Sequence, residues 1–156
     1  MKTKKRPTVA KLRAAFEKAT KLSTILAIAL HDLAKVERSK KFKVNMRWWY
    51  CKGSKSCKVC LAGSVMAGRY PNVTREFGKH RELWPEHSVW DGVDEVSQKF
   101  NALDCLRAGR VAAAMGYLRL SITHQHDREV TDYHKYPKQW WLDMKKLLAD
   151  LRKAGL

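Results

Sequence analysis

Seven apolar residues spaced by three and four, Leu12, Phe16, Ala19, Leu22, Leu26, Leu30 and Leu33, constrain this chain more than any other feature. The spacing puts them on one stripe of an α-helix and predicts a single long N-terminal helix, with Thr8 as its N-cap after Pro7. Lys11, Arg13, Lys18, Lys21 and Lys35 fall mostly outside the stripe, so the helix should bury one face and offer a basic one. His31 lies near the buried edge, where a boundary histidine with a satisfied hydrogen bond is expected rather than a catalytic one.

Beyond that helix the periodicity changes. Phe42, Val44, Met46 and Trp48 alternate with Lys43, Asn45 and Arg47, the period of two of a short strand or hairpin over 44–50. Cys60 to Gly68 reads CLAGSVMAG, a short helix of small side chains whose use is close approach of another backbone. Residues 69–92 are broken up by Pro71, Gly78, Pro85 and Gly92. Val96, Phe100, Leu103 and Leu106, then Val111, Met115 and Leu118, form two helical stripes around Gly109. Pro137 opens a last helix with Trp140, Trp141, Met144, Leu147, Leu148 and Leu151 on its apolar side. These elements define a mainly α fold: one helical domain over 8–156, preceded by a disordered basic tail over 1–7. At 45% hydrophobic residues a chain of 156 has enough material for a core without disulfides or metal.

Charge narrows the function. The net formal charge is +17, and residues 1–60 carry 17 Lys and Arg against 3 Asp and Glu. A surface that repels itself this strongly is normally neutralised by a polyanion, whose released counterions supply the free energy of binding. The expected nucleic-acid-binding residues are Lys4, Lys5 and Arg6 in the tail; Arg38, Lys40, Lys41 and Lys43 in the densest internal cluster; and Arg47, Trp48, Trp49, Lys52 and Lys55 beyond it. Cations interleaved with aromatic rings suit single strands, the cations following phosphates while the rings stack on bases. The same tryptophans are also natural core anchors, and the same field would attract an acidic protein partner.

Three of the four cysteines fall between Cys51 and Cys60. Cys57 and Cys60 make a C-x2-C, a spacing at which two thiolates share a tetrahedral zinc, with Cys51 and Cys105 as the further candidate ligands. The pair also admits a redox reading, and all of these cysteines admit a reading as small buried hydrophobes. No cofactor is otherwise expected. His124, His126, His134, Asp127 and Asp132 gather in one polar segment, the basis for an alternative reading as a metal-dependent enzyme, although their spacing matches no hydrolase motif. Four cysteines make no disulfide scaffold, no secretory leader is evident and no apolar run approaches the roughly 20 residues that span a bilayer, so a cytoplasmic protein without membrane association is expected.

The segment C-K-V-C-L-A-G-S-V-M-A, Cys57 to Ala67, following the aromatic pair Trp48 and Trp49, resembles a group of small bacteriophage- and prophage-encoded proteins with no assigned activity. The similarity extends to the pattern Phe100, Leu103, Leu106, Arg107 and Gly109. The resemblance implies a bacterial cytoplasm and a non-enzymatic protein that acts on host or phage nucleic-acid metabolism. The alternative it includes is an inhibitor that binds an acidic or nucleoprotein host target such as a defence or repair nuclease.

Overall fold

The structure is a computed structural model that describes residues 6–46, 50–52, 55–72, 82–83, 96, 99 and 133–156, with the backbone alone at 50–52 and 82–83. Among these residues the chain is mainly helical: α1 (Val9–Glu17), α2 (Leu22–Glu37), α3 (Leu61–Arg69) and α4 (Pro137–Lys153). Four short strands, β1 (Phe42–Val44), β2 (Tyr50–Lys52), β3 (Cys57–Val59) and β4 (Glu82–Leu83), form one sheet in the order β1-β3-β2-β4. The basic tail at 1–5 and the helices expected around Gly109 lie outside the described residues.

The single N-terminal helix expected from the apolar stripe is two helices. Thr8 caps α1 as expected, its side chain accepting from the Lys11 N–H at 3.4 Å. The helix stops at Lys18, and Lys21 is extended at φ −76°, ψ 133°. The break is stabilised from a distance: the Lys99 ammonium donates to the carbonyl oxygens of Glu17, at 3.2 Å, and of Ala19. A cation there also opposes the negative end of the α1 dipole. The stripe spacing continues across the break because Phe16, Ala19 and Leu26 all enter the same core.

In α3 every residue from Leu61 to Met66 is buried, which the small side chains of Ala62, Gly63 and Ser64 make possible against α2. Its N-cap is Cys60, whose sulfur accepts from the Gly63 N–H at 3.5 Å. The Ser64 hydroxyl donates to the Cys60 carbonyl oxygen at 2.8 Å. Pro137 occupies the first turn of α4, where its missing N–H costs nothing, and Trp140, Met144, Leu147 and Leu151 go into the core as the spacing predicted. The largest fully buried side chains, Trp140, Tyr70, Phe16, Leu26, Leu33, Leu61 and Met66, come from all four helices and the residue after α3. Each Leu, Phe or Met contributes about 1.5–3 kcal/mol relative to exposure.

One charged pair lies inside this core. Asp32 and Arg69 are 2% and 3% exposed, and their side chains form a two-pronged contact, Nε to Oδ2 at 2.6 Å and Nη2 to Oδ1 at 3.2 Å. Arg69 Nη1 also donates to the Leu12 carbonyl oxygen, so one guanidinium joins α1, α2 and α3. Lys35 approaches Asp32 Oδ1 at 3.7 Å from the surface. Removing one member of such a pair strands a buried charge, whereas replacing both with apolar groups need not destabilise. Asp32→Ala is therefore expected to lower the unfolding free energy by about 3–5 kcal/mol in urea denaturation, and Asp32→Leu combined with Arg69→Met to recover most of that loss.

Candidate nucleic-acid interface

The basic cluster after α2 is held on a strand whose two faces differ sharply. In β1, Phe42 and Val44 are half-buried and Lys43 is exposed; in β3, Cys57 is half-buried, Val59 is fully buried and Lys58 is exposed. The strands are parallel, with Phe42 opposite Cys57, Lys43 opposite Lys58 and Val44 opposite Val59. The Cys57 N–H donates to the Lys41 carbonyl oxygen at 2.9 Å and the Asn45 N–H to the Val59 carbonyl oxygen at 2.8 Å, so the register is fixed on both sides. Two lysines consequently stand side by side on the solvent face. Like charges directly opposite each other in a sheet are destabilising, by an amount in the range of about 0.2–1 kcal/mol. Across the sheet the same row passes through Cys51 in β2 to Glu82 in β4.

The ends of this basic strand are clamped by the segment that opens α4. Glu37, the last residue of α2, accepts from the Tyr133 hydroxyl at 2.5 Å and from Trp141 Nε1 at 2.8 Å. Burial, together with the Glu37 carboxylate, pushes the Tyr133 hydroxyl well above its ordinary pKa, so it remains a donor throughout the neutral range. Past the far end of β1 the Met46 N–H donates to His134 Nε2 at 3.1 Å. Tyr133 packs edge-on against both His134 and Trp140, at centroid distances of 5.5 and 5.3 Å. The acid beside the cluster is thus engaged by neutral donors. Arg38, Lys40, Lys41, Lys43 and Lys58 form no ion pair with an acid among the described residues.

Of the residues expected to bind nucleic acid, Arg38, Lys40, Lys41 and Lys43 are exposed and contiguous at the α2–β1 turn and strand, where the Ser39 hydroxyl accepts from the Lys41 N–H at 3.1 Å. Arg6 and Lys55 are exposed elsewhere on the chain. Lys52 pairs in register with Cys57, one row away from Lys43 and Lys58. Lys4, Lys5, Arg47, Trp48 and Trp49 lie outside the described residues. Lys58 was not among the expected binding residues. Its signal is the alternation Cys57, Lys58, Val59, a strand pattern that coincides with the C-x2-C spacing of a metal knuckle.

No family model matches the chain, and no curated protein or solved structure matches it.

Among the proposed metal ligands, Cys57 and Cys60 are free thiols, Cys51 is described only as a strand position and Cys105 lies outside the described residues. Among the described residues no three His, Cys, Asp or Glu side chains gather as a metal ion would require. Of the histidine segment, His124, His126, Asp127 and Asp132 lie outside the described residues, while His134 is the acceptor for Met46. Cys60 is fully buried, and burial pushes its thiol up from 9.0 to about 12, outweighing the lowering effect of the backbone N–H groups around it. At neutral pH it is a neutral thiol packed in the core. A thiol that ionises at 9.0 when unfolded and near 12 when folded favours the folded state below pH 9, and this contribution is lost as pH rises from about 9 to 12. Cys60→Ala is therefore expected to have a shallower loss of stability over that range than the parent, by up to about 1.4 kcal/mol per pH unit in denaturant titrations at successive pH values.

Proposed function

We propose that this protein binds nucleic acid without catalysing a reaction, using the exposed basic surface formed by Arg38, Lys40, Lys41, Lys43 and Lys58. The observation that carries the reading is the pairing of Lys43 with Lys58 in register on the solvent face of the sheet, with no acid paired to either among the described residues. Such a row is unfavourable in the isolated protein, and a phosphate backbone converts that repulsion into attraction. The clamp on Glu37 supports the same reading, because it engages the carboxylate that directly precedes Arg38 in the chain. Arg47, Trp48 and Trp49 follow directly in the chain and offer stacking partners for unpaired bases. The resemblance at Cys57 to Ala67 implies a role in host or phage nucleic-acid metabolism, which fits this reading.

Oligonucleotide binding measured against salt tests the proposal. Log affinity should fall linearly with log salt, with a slope of magnitude about 4 to 5 if roughly five phosphates are contacted, and Lys43→Gln with Lys58→Gln should reduce that slope by about 2. The same pair of substitutions should leave the folded protein as stable as the parent or slightly more stable at low salt, because the repulsion is removed. Binding that does not respond to salt, or no binding at low salt, would overturn the reading. Retention of a protein from nuclease-treated host lysate, with no affinity for oligonucleotides, would point instead to an acidic protein target.

A further inference from the structure

A second cationic feature lies away from the sheet, in a cleft of about 270 Å³ where three helices converge. α2 contributes Ser23, Thr24 and His31, α3 contributes Arg69, and α4 contributes Arg152. The apolar floor is Ala27 and Ile28. The cleft lies just below the range of about 300–1,000 Å³ typical of pockets for drug-sized molecules, a size suited to one small charged group.

Its polar lining is organised. Arg69 is fixed by Asp32 and by the Leu12 carbonyl oxygen through Nε, Nη1 and Nη2. A guanidinium has five N–H groups, and these contacts occupy three, leaving two without a partner among the described residues. The Ser23 residue is only 6% exposed, its backbone N–H donates to the Leu156 carbonyl oxygen at 3.3 Å, and its hydroxyl has no hydrogen-bond partner among the described residues. That hydroxyl is free to donate to an acceptor in the cleft. Arg152 is exposed and forms no ion pair with an acid among the described residues. The cleft also borders the first turn of α2, which contains no acidic residue and whose N-cap, Lys21, makes no side-chain capping bond; the main-chain oxygen of Leu156 accepts from the Ser23 N–H there. Asp32 is taken up by Arg69 and approached by Lys35.

The geometry points to a binding site for a phosphoryl group, held between Arg69 and Arg152 with the hydroxyls of Ser23 and Thr24 as further donors. Donors converging from three helices suit a tetrahedral dianion better than a planar carboxylate, which is satisfied by a single arginine fork. The site stands independently of the sheet face and of the nucleic-acid reading, since it shares no residue with either.

Calorimetric titration of the full chain with inorganic phosphate, with adenosine monophosphate and with acetate, all at matched ionic strength, tests it. Saturable phosphate binding is expected, with one site per chain and acetate at least about tenfold weaker. Arg152→Gln and Ser23→Ala should each weaken phosphate about tenfold, the effect of losing one hydrogen bond to a charged group. Arg152 is exposed, so its replacement leaves the core intact, and unchanged far-ultraviolet circular dichroism verifies this. Lys43→Gln with Lys58→Gln should leave phosphate binding unchanged while weakening any oligonucleotide binding, which separates the two surfaces. Binding of adenosine monophosphate comparable to phosphate would identify monoesters as occupants, and its exclusion would identify the free anion. Absence of saturable phosphate binding, equal binding of acetate, or phosphate binding unaffected by both Arg152→Gln and Ser23→Ala would overturn the assignment.

Discussion

The contact between Asp32 and Arg69 is the constraint on which the helical part of this structure depends. An ion pair 2–3% exposed gives little net stability against water, because both charges have lost their hydration. What it does give is exclusivity of arrangement. Leu33 and Leu30 could be buried against many apolar surfaces, but Asp32 tolerates burial only where a cation with matching geometry waits, and Arg69 supplies it from the end of α3. The third prong, to the Leu12 carbonyl oxygen, brings α1 into the same arrangement. Three helices are therefore positioned by one guanidinium, and packing fills in around it.

The basic surface is built on the opposite principle. Inside, charges are matched; on β1 and β3, like charges are set side by side, and the arrangement holds because the other face of the same strands is anchored by Val59, Phe42 and Val44. Glu37 connects the two regimes. It ends α2, directly before Arg38, and its carboxylate is turned to Tyr133 and Trp141 rather than to the neighbouring lysines. The final helix thus contributes to the basic surface without presenting a residue on it, by fixing the point from which the cationic turn departs.

Much of the helical framework was legible from spacing alone. Thr8 as a cap, Pro137 at the start of α4, the apolar side of α4 and the small-residue packing of α3 each follow from local chemistry that needs no knowledge of the partner. The features that local spacing does not carry share a cause. The break between α1 and α2 was invisible because the apolar stripe keeps its phase through Ala19, while the donor that satisfies the helix end, Lys99, is remote in sequence. Asp32 announced a need for a partner by interrupting an apolar face, but nothing local pointed to Arg69. His31, expected at the buried edge, is exposed in the cleft between helices. Lys58 stands inside a C-x2-C whose spacing also suits metal chemistry, so the strand alternation with Cys57 and Val59 competes there with a second local pattern. Local patterns predicted elements; pairings between distant residues, which decide the site, were not encoded at that range.

The shortness of α1 has a consequence for how the chain acquires its structure. Nine residues fall below the roughly 12–15 at which an isolated helix becomes even marginal in water, so α1 owes its order to docking. Its supports are Phe16 in the core, the bond from Arg69, 57 positions further along, and the bond from Lys99, 80 positions beyond Ala19. On a ribosome the helix nearest the N-terminus emerges first yet must wait for most of its anchors to be synthesised. The end of α1 is thus secured late, and a polypeptide interrupted before residue 99 would present its most basic third without the Lys99 contacts that hold that end in place.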